Sequence, residues 1–323
     1  MPDEHRALDA VAGSLRCPVC AGRVQVGDGQ VECSRWHSFN IARQGYVSLT
    51  SGRGGPGTGD SAAMVMARER FLGGGHYRPL ADAIAGLAAK LDRGAPGLVL
   101  DLAGGTGYYL ARVLDALPAR HGACADLSAP ALRRAARAHP RAAALGADAW
   151  QRLPLADGSA AVVLSVFGPR NAAEIRRVLA PGGALVIAVP GPDHQRELRG
   201  SLGLIGVDER KTARLAHAFG GYQGADVTAV RYQLRLSHAD LTDLVAMGPS
   251  ARHIAADDLA ARSRRGRTRT RSPSTSRCEA TRADPGRPLR NHLHIDVPCA
   301  GCAARCSPCQ TRFPSVAGSG PGR

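Results

Sequence analysis

The sequence predicts an α/β protein with a mainly parallel sheet, and two observations carry this prediction. Between residues 97 and 189, short apolar segments that suit buried strands alternate with segments that suit helices, beginning with GLVLDL at 97–102. Parallel strands carry such continuous apolar runs because helices cover both faces of their sheet. The first strand is followed by a glycine-rich turn, AGGTG at 103–107, which opens the next helix. This strand–turn–helix order is typical of Rossmann-like sheets.

The other elements follow from apolar periodicity and turn signals. Strands are predicted at 97–102, 122–126, 142–147, 160–167, 184–189 and 226–236, and helices at 61–72, 77–91, 108–117, 129–138, 171–179 and 237–247. Ser61 is a predicted N-cap of the first of these helices, and Ser237 with Asp240 predicts a capping box at the last.

Four residues near the N-terminus have the spacing of a metal site. Cys17, Cys20, Cys33 and His37 are separated by two, twelve and three residues. Thiolate and imidazole ligands suit a tetrahedral Zn²⁺ ion, and a site with four protein ligands is structural rather than catalytic. Cysteines that are only buried or disulfide-bonded are the alternative, against which the close match to zinc-ligand spacing argues. Short strands are expected around the site at 23–26, 30–32 and 46–49.

Composition divides the 323-residue chain into four parts. We expect a zinc-binding domain at 1–50, a linker and two helices at 51–92, the α/β domain at 93–262 and a tail at 263–323. Much of the net charge of +15 lies in the tail, which has twelve arginines and three acidic residues. Its Arg/Ser/Thr/Pro-rich composition predicts disorder. The tail also contains a second cluster with metal-ligand spacing, Cys299, Cys302, Cys306 and Cys309.

The sequence contains no stretch of about 18 uncharged apolar residues, the length that a membrane helix needs. The first 16 residues lack the apolar segment of a signal peptide, and cysteines used as metal ligands suit a reducing compartment. We therefore expect a cytoplasmic protein with no membrane partner. The moderately basic body at 1–262 is compatible with a polyanionic partner.

The glycine-rich turn and the acids around it predict a cofactor that contains adenosine. Glycines let the backbone approach a ligand closely, and the start of a helix supplies free N–H groups. The acid that ends the second strand can accept both ribose hydroxyls. The acid after the third strand either meets the adenine or belongs to a simple turn. These candidates are Asp101, Gly105, Thr106, Gly107, Asp126 and Asp148.

NAD and S-adenosylmethionine (SAM) both fit these features. The Pro181-Gly182-Gly183 turn ahead of the fifth strand, and the absence of a complete second mononucleotide-binding half, favour SAM. The segments 101–107 and 179–183, together with Asp126 and Asp148, resemble those of the class I SAM-dependent methyltransferases, whose fold is a Rossmann-like α/β sheet.

Further motifs narrow the resemblance over residues 15–262. The chain resembles the 23S rRNA guanine-N1 methyltransferases, a family that includes macrolide-resistance enzymes. The motifs that carry this resemblance are the Cys17/Cys20/Cys33/His37 cluster, Gly59-Asp60-Ser61, Ala67-Arg68, Phe71-Leu72, Gly75-His76-Tyr77, Pro79-Leu80, the glycine-rich loop, Pro190-Gly191-Pro192 with His194, and Glu197-Leu198.

The resemblance implies a function and a set of contacts. It implies N1-methylation of a guanine in a 23S rRNA hairpin near the macrolide site, with SAM and Zn²⁺ as cofactors and the zinc unit helping to recognise RNA. An arginine-rich, lysine-poor composition favours guanine 748 over guanine 745, and macrolide resistance would follow. We also expect a homodimer. The cofactor contacts that carry over from the family are Tyr77, Gly105, Thr106 and His194.

Two departures from the family pattern bear on the site. Ala103 replaces the first glycine of the usual loop, and Phe167-Gly168-Pro169-Arg170 replaces an Ala-Pro-Cys ending. Phe167 is the candidate wall for an extruded base, and Asp148 is a candidate proton acceptor as well as an adenine-side contact. Five arginines are candidate phosphate contacts, namely Arg16, Arg23, Arg35, Arg43 and Arg53.

Two other functions fit part of the sequence. One is a SAM-dependent methyltransferase with a small-molecule substrate, against which the zinc motif argues. The other is a non-catalytic zinc- and RNA-binding protein with a damaged methyltransferase domain. The second arises because apolar periodicity stops at Arg262, where the family has a last antiparallel strand. A frameshifted tail would leave the sheet one strand short.

Overall fold

The computed structural model describes residues 6–50, 59–191, 194–195, 198, 223–248, 251 and 289–299. The strands in this part of the chain are β1 (Val24–Gly27), β2 (Gln30–Cys33), β3 (Ser38–Asn40), β4 (Tyr46–Ser48), β5 (Leu98–Leu102), β6 (Gly122–Asp126), β7 (Ala142–Gly146), β8 (Ala160–Val166), β9 (Leu179–Pro190), β10 (Gln223–Leu234) and β11 (Leu289–Cys299). The helices are α1 (Arg6–Val11), α2 (Ala62–Gly73), α3 (Arg78–Leu91), α4 (Tyr108–Ala116), α5 (Ala129–Ala135), α6 (Ala172–Val178) and α7 (His238–Ala246).

The main sheet has eight strands in the order β10-β11-β9-β8-β5-β6-β7-β4. The strands from β9 to β4 pair in parallel, and β11 runs antiparallel to both of its neighbours. Every residue of β5, β7 and β8 is buried, as continuous apolar runs in a doubly covered sheet require. The predicted mainly parallel α/β sheet is therefore confirmed.

Two apolar layers cover the sheet. One layer contains buried residues of α2, α3, α4, α5 and α7. The other contains α1, α6 and the apolar side of the N-terminal cysteine-rich unit, including Val24 and Val31. The metal site is thus packed against the same sheet that carries the glycine-rich loop.

Side-chain caps explain where several helices begin. The Ser61 hydroxyl accepts a hydrogen bond from the Met64 N–H at 3.2 Å, as the sequence predicted. Ser237 and Asp240 form the predicted reciprocal capping box at the start of α7. Each cap satisfies backbone donors that the first turn of a helix leaves without an internal partner.

The cysteine-rich unit contributes to two sheets. β1, β2 and β3 form a small antiparallel sheet, and β4 leaves it to pair in parallel with β7 at the edge of the main sheet. Gly146 permits this close approach, because a Cβ atom there would lie 2.9 Å from the Ser48 Cα. The sequence predicted β1, β2 and β4 but neither β3 nor the membership of β4 in the main sheet.

The strand β11 lies within the predicted tail and supplies the last strand of the sheet, so the expectation of a sheet that lacks this strand is wrong, whereas the rest of the tail lies outside the described residues. Its backbone pairs with β9, where Ile295 lies opposite Ala188, and with β10, where Ile295 lies opposite Thr228. The sequence from 289 to 299 alternates apolar and polar residues at Leu293, Ile295 and Val297, a strand pattern that the arginine-rich composition of the tail obscured. The other three cysteines of the second cluster, and the residues around them, lie outside the described residues.

Within the part of the chain that the structure describes, no helix combines the length and the apolar character needed to cross a membrane.

Candidate active site and metal centre

The four N-terminal ligand candidates converge on one point. The Sγ atoms of Cys17 and Cys33 lie 3.5 and 3.3 Å from the His37 Nδ1, and the Sγ atoms of Cys20 and Cys33 are 3.7 Å apart. All four ligand atoms lie within 4.8 Å of one another. Zinc bonds of about 2.3 Å to sulfur and 2.0–2.1 Å to nitrogen would separate tetrahedral ligands by about 3.5–3.8 Å. The three separations of 3.3, 3.5 and 3.7 Å are therefore close to those of a tetrahedral zinc site.

Backbone turns shape this cluster. The Ala21 N–H donates to the Cys17 carbonyl at 2.8 Å, and the Trp36 N–H donates to the Cys33 carbonyl at 2.9 Å. Burial acts to raise the pKa of the Cys33 thiol, but the Arg35 backbone N–H and groups of His37 outweigh it and lower that pKa to about 6. A thiol that ionises readily suits a zinc ligand, because the thiolate is the form that binds metal.

Asp101 lies at the end of β5 beneath the glycine-rich turn. It is fully buried, and neither of its carboxylate oxygens makes a hydrogen bond of normal geometry in the described residues. Burial, and after it the nearby charge of Asp126, raises its pKa to about 7, although the Leu110 backbone N–H acts in the opposite direction. Gly104 is required above it, because a Cβ atom there would lie 2.6 Å from the Asp101 carboxylate. The acid is therefore enclosed by the loop.

Asp126, at the end of β6, is tied directly to that loop. Its Oδ2 accepts the Gly105 N–H at 2.9 Å, and its Oδ1 accepts the Ser128 N–H at 2.8 Å. Burial raises the pKa of Asp126, and these two N–H groups lower it. Since each carboxylate oxygen has two lone pairs, each keeps one acceptor position. The geometry suits the predicted ribose-binding role.

A segment before α2 packs across this site. The Ser128 hydroxyl donates to the Asp60 carbonyl at 2.7 Å. Arg68 forms an ion pair with the Asp60 carboxylate and donates to the Met247 carbonyl at 2.8 Å. Its guanidinium also lies over the loop, because a Cβ atom on Gly105 would be 3.1 Å from the Arg68 Nη1. Asp60 and Arg68 thus connect the loop to α7.

An aromatic group lies beside the loop. The ring centroids of Tyr77 and Phe167 are 6.2 Å apart, and Phe167 stacks on His194 at 6.2 Å. The Gln195 Nε2 donates to the Tyr77 hydroxyl at 3.0 Å. The predicted cofactor contacts Tyr77 and His194 therefore both lie beside Phe167, the predicted base wall. More than a hundred residues separate Tyr77 from His194 in the chain.

Phe167 has a left-handed backbone, with φ of 58°. A bulky residue adopts this conformation only under constraint, which is common at functional sites. The next residue, Gly168, packs closely against the cofactor loop, because a Cβ atom on Gly168 would lie 3.2 Å from the Ala103 Cβ. Ala103 is itself left-handed, with φ of 55°, so the alanine that replaces the loop's first glycine retains a glycine-type backbone.

Comparisons with known proteins agree with this arrangement. A family model of a methyltransferase domain matches residues 99–183, and a zinc-ribbon model described as "RlmA, N-terminal" matches residues 15–50. A 23S rRNA (guanine(748)-N(1))-methyltransferase of Streptomyces fradiae is 46% identical over 250 residues, which cover 77% of this chain and 89% of the relative. The chain belongs to the 23S rRNA (guanine-N1)-methyltransferase family.

Other members of this family are also similar to the chain. A protein of Micromonospora griseorubida named for 23S rRNA (guanine-N(1)-) methylation is 47% identical over 266 residues, covering 77% of this chain and 90% of the relative. YxjB of Bacillus subtilis, named for the same methylation, is 33% identical over 192 residues, covering 57% of this chain and 67% of YxjB.

As a member of this family, the chain has a class I SAM-dependent methyltransferase fold with an N-terminal zinc ribbon, and its cofactors are SAM and Zn²⁺. The loop fits the cofactor, because both carboxylate oxygens of Asp126 keep an acceptor position beside the glycine-rich turn. Thr106 is half-buried between Gly105 and Gly107 in that loop. Gly107 caps α4 with φ of 77° and leaves no room for a Cβ atom against Ala138, at 2.9 Å.

Asp148 lies at the next strand end, after β7. Its Oδ1 accepts the Trp150 N–H at 2.9 Å, so it organises a turn whose Trp150 side chain is exposed. Both predicted roles for Asp148 stay predictions. Sequence reasoning assigned no role to Asp60, Arg68 or Gln195, although the first two lie in motifs that carried the family resemblance.

Proposed function

We propose that this protein methylates N1 of guanine 748 in 23S rRNA, with SAM as the methyl donor, and that it confers macrolide resistance. The observation that carries the proposal is the pairing of β4 with β7. This pairing joins the zinc ribbon to the sheet that holds the cofactor loop. A fixed ribbon can present a structured RNA to the adjoining site. The similarity to the Streptomyces fradiae enzyme supports the choice of guanine 748.

The exposed surface of the ribbon supports an RNA substrate. Arg23, Arg35 and Arg43 are exposed, and arginines at such positions can contact phosphates. Arg16 differs, because its guanidinium donates to the Gly13 and Leu15 carbonyls. Arg53 lies outside the described residues. A small-molecule methyltransferase would have no use for a basic ribbon fixed to its sheet.

Each side chain at the site has a proposed task. SAM supplies an electrophilic methyl group. Asp126 holds the ribose, and Tyr77 and His194 contact the cofactor beside the loop. Phe167 would form the wall against which the extruded guanine rests beside the methyl donor. N1 would lose its proton, for which Asp148 is the candidate acceptor, as it takes the methyl group and S-adenosylhomocysteine leaves. Two features of Phe167 support this role: its left-handed backbone directly after β8, and its ring 6.2 Å from that of Tyr77.

The proposed substrate is a hairpin of 23S rRNA in the cytoplasm, and the proposed assembly is a homodimer. The hairpin rests on the family resemblance. The homodimer is tested separately. Size-exclusion chromatography with light scattering should give a mass of twice 33.6 kDa, the mass of one chain.

The test is methylation of a 23S rRNA fragment with radiolabelled SAM, followed by primer extension. N1-methylguanine blocks Watson–Crick pairing, so reverse transcriptase should stop beside guanine 748. A transcript with adenine at position 748 is the matched control and should lose both label and stop. A stop beside guanine 745 would change the assigned base, and the absence of label from every RNA would contradict the proposed function. Expression in a macrolide-sensitive host should raise the inhibitory macrolide concentration.

A further inference from the structure

Trp36 is the most exposed large apolar side chain in the part of the chain that the structure describes, with 86% of its surface accessible. It lies between the zinc ligands Cys33 and His37 and follows the exposed Arg35. Its backbone is left-handed, with φ of 63°. An indole this exposed contributes almost nothing to the apolar core, so its presence needs another explanation.

The turn explains the backbone but not the side chain. The Trp36 N–H donates to the Cys33 carbonyl at 2.9 Å and the Cys33 N–H donates to the His37 carbonyl at 3.1 Å, which closes a tight knuckle around the metal. A left-handed position favours glycine, because a Cβ atom crowds the backbone there. The other knuckle has its left-handed residue at Ala21, with φ of 58°. In the second knuckle the left-handed residue is instead a tryptophan, whose side chain stands in solvent.

We infer that Trp36 is a stacking platform for an unpaired base of the RNA substrate, and that Arg35 beside it contacts the adjoining phosphate. This inference rests on the proposed function and extends it to one residue. Single-stranded loops are bound by aromatic side chains that stack on splayed bases, together with arginines along the backbone. The exposed arginines of the same ribbon, Arg23 and Arg43, give this surface the charge that an RNA partner needs.

The fluorescence of Trp36 can be isolated by one substitution, because Trp150 is the other of the two tryptophans in the chain. In a Trp150→Phe background, selectively excited tryptophan fluorescence comes from Trp36 alone. Stacking on a base should quench this fluorescence when a 23S hairpin is added, and a fully base-paired duplex of the same length should quench it much less. Quenching that depends on protein concentration without RNA would indicate a second copy of the chain as the occupant and would overturn the inference.

Substitutions separate stacking from folding. Trp36→Gly relieves the left-handed strain, so it should keep the bound zinc and the melting temperature while lowering hairpin affinity roughly tenfold or more. Trp36→Tyr should restore most of that affinity because it retains an aromatic face. Val19→Ala is the matched control: Val19 is 60% exposed on the first knuckle, and its loss should leave hairpin affinity unchanged.

The two levels of the proposal fail differently. Methylation of the hairpin by the wild-type protein, with equal hairpin affinity for Trp36→Gly, would refute the platform and leave the proposed function intact. Absence of methylation by the wild-type protein would refute the proposed function itself. Weaker hairpin binding by Trp36→Gly with unchanged affinity for S-adenosylhomocysteine would support the platform.

Discussion

The Asp126 carboxylate and the Gly105 N–H are joined by a hydrogen bond of 2.9 Å between Oδ2 and the backbone nitrogen. This bond links the end of β6 to the loop that follows β5. A second bond, from the Ser128 N–H to Oδ1, fixes the remaining oxygen. The carboxylate is therefore oriented before any ligand arrives, which reduces the ordering cost of binding.

Replacement of Asp126 with Ala should weaken binding of S-adenosylhomocysteine by at least about tenfold, because two ribose hydroxyls lose a charged acceptor worth about 1.5–3 kcal/mol per hydrogen bond. Isothermal titration calorimetry measures the affinity. Asp28→Ala, at an exposed position between β1 and β2, is the control and should bind normally. Unchanged affinity in the Asp126 variant would contradict the ribose-binding role.

Replacement of Arg68 with Met should weaken the affinity for S-adenosylhomocysteine about three- to tenfold, and the loss should grow as the pH is lowered. Burial raises the pKa of Asp126, Asp60 raises it further and Arg68 lowers it. Loss of the guanidinium therefore raises this pKa again, and a larger share of Asp126 is protonated as the pH falls. Arg70→Met is the matched control, since Arg70 pairs with Asp243 instead. Equal losses in the two variants would indicate a general effect on α2.

Replacement of Asp101 with Asn should change how stability depends on pH. The pKa of Asp101 is about 7 in the folded protein against a usual value of 3.8, so between about pH 4 and 7 the folded state binds more protons than the unfolded state. This group therefore makes the free energy of unfolding fall as the pH rises, by up to about 1.4 kcal/mol per pH unit. Urea unfolding of the cofactor-free protein should show this fall reduced in Asp101→Asn. An identical pH dependence in both proteins would show that Asp101 keeps an ordinary pKa.

Replacement of Cys33 with Ala should release zinc and lower the melting temperature of the whole protein. The ribbon loses a ligand, and β4 belongs to the main sheet, so the damage spreads beyond the ribbon. Elemental analysis gives the zinc content, and circular dichroism gives the melting temperature. Cys124→Ala removes a buried cysteine of β6 outside the metal cluster and should keep one zinc per chain. Full zinc occupancy in the Cys33 variant would contradict its role as a ligand.

Replacement of Phe167 with Leu should lower kcat for RNA methylation roughly tenfold or more while leaving affinity for S-adenosylhomocysteine within about threefold. Leucine lacks the aromatic face that stacks on a base, a contact worth about 1–3 kcal/mol. Single-turnover kinetics measures the rate of methyl transfer to the RNA, and calorimetry measures the affinity for S-adenosylhomocysteine. Phe39→Leu, in the ribbon strand β3, is the control for loss of an aromatic side chain elsewhere. A matching loss of cofactor affinity would make Phe167 part of the cofactor site instead.

Local sequence patterns predicted the elements whose signal lies within a few residues. The buried strands β5 to β8, the caps at Ser61 and Ser237, and the ligand set from Cys17 to His37 each have their signal within a few residues. β11 was missed because its alternating pattern is short and lies in arginine-rich sequence. Asp60 and Arg68 were not assigned to the site, because their partners Ser128 and Met247 are 68 and 179 residues away in the chain.

The sequence by itself determined the parallel α/β sheet, the zinc ligands and the two acids at the strand ends, because each follows from periodicity or spacing along the chain. The tertiary structure alone decided that β4 joins the zinc ribbon to the cofactor sheet, and that Tyr77, Phe167 and His194 form one aromatic group. It also decided that Trp36 stands in solvent. The physical reason is that strand pairing across the sheet and side-chain exposure depend on which segments pack together, and no local pattern encodes that choice.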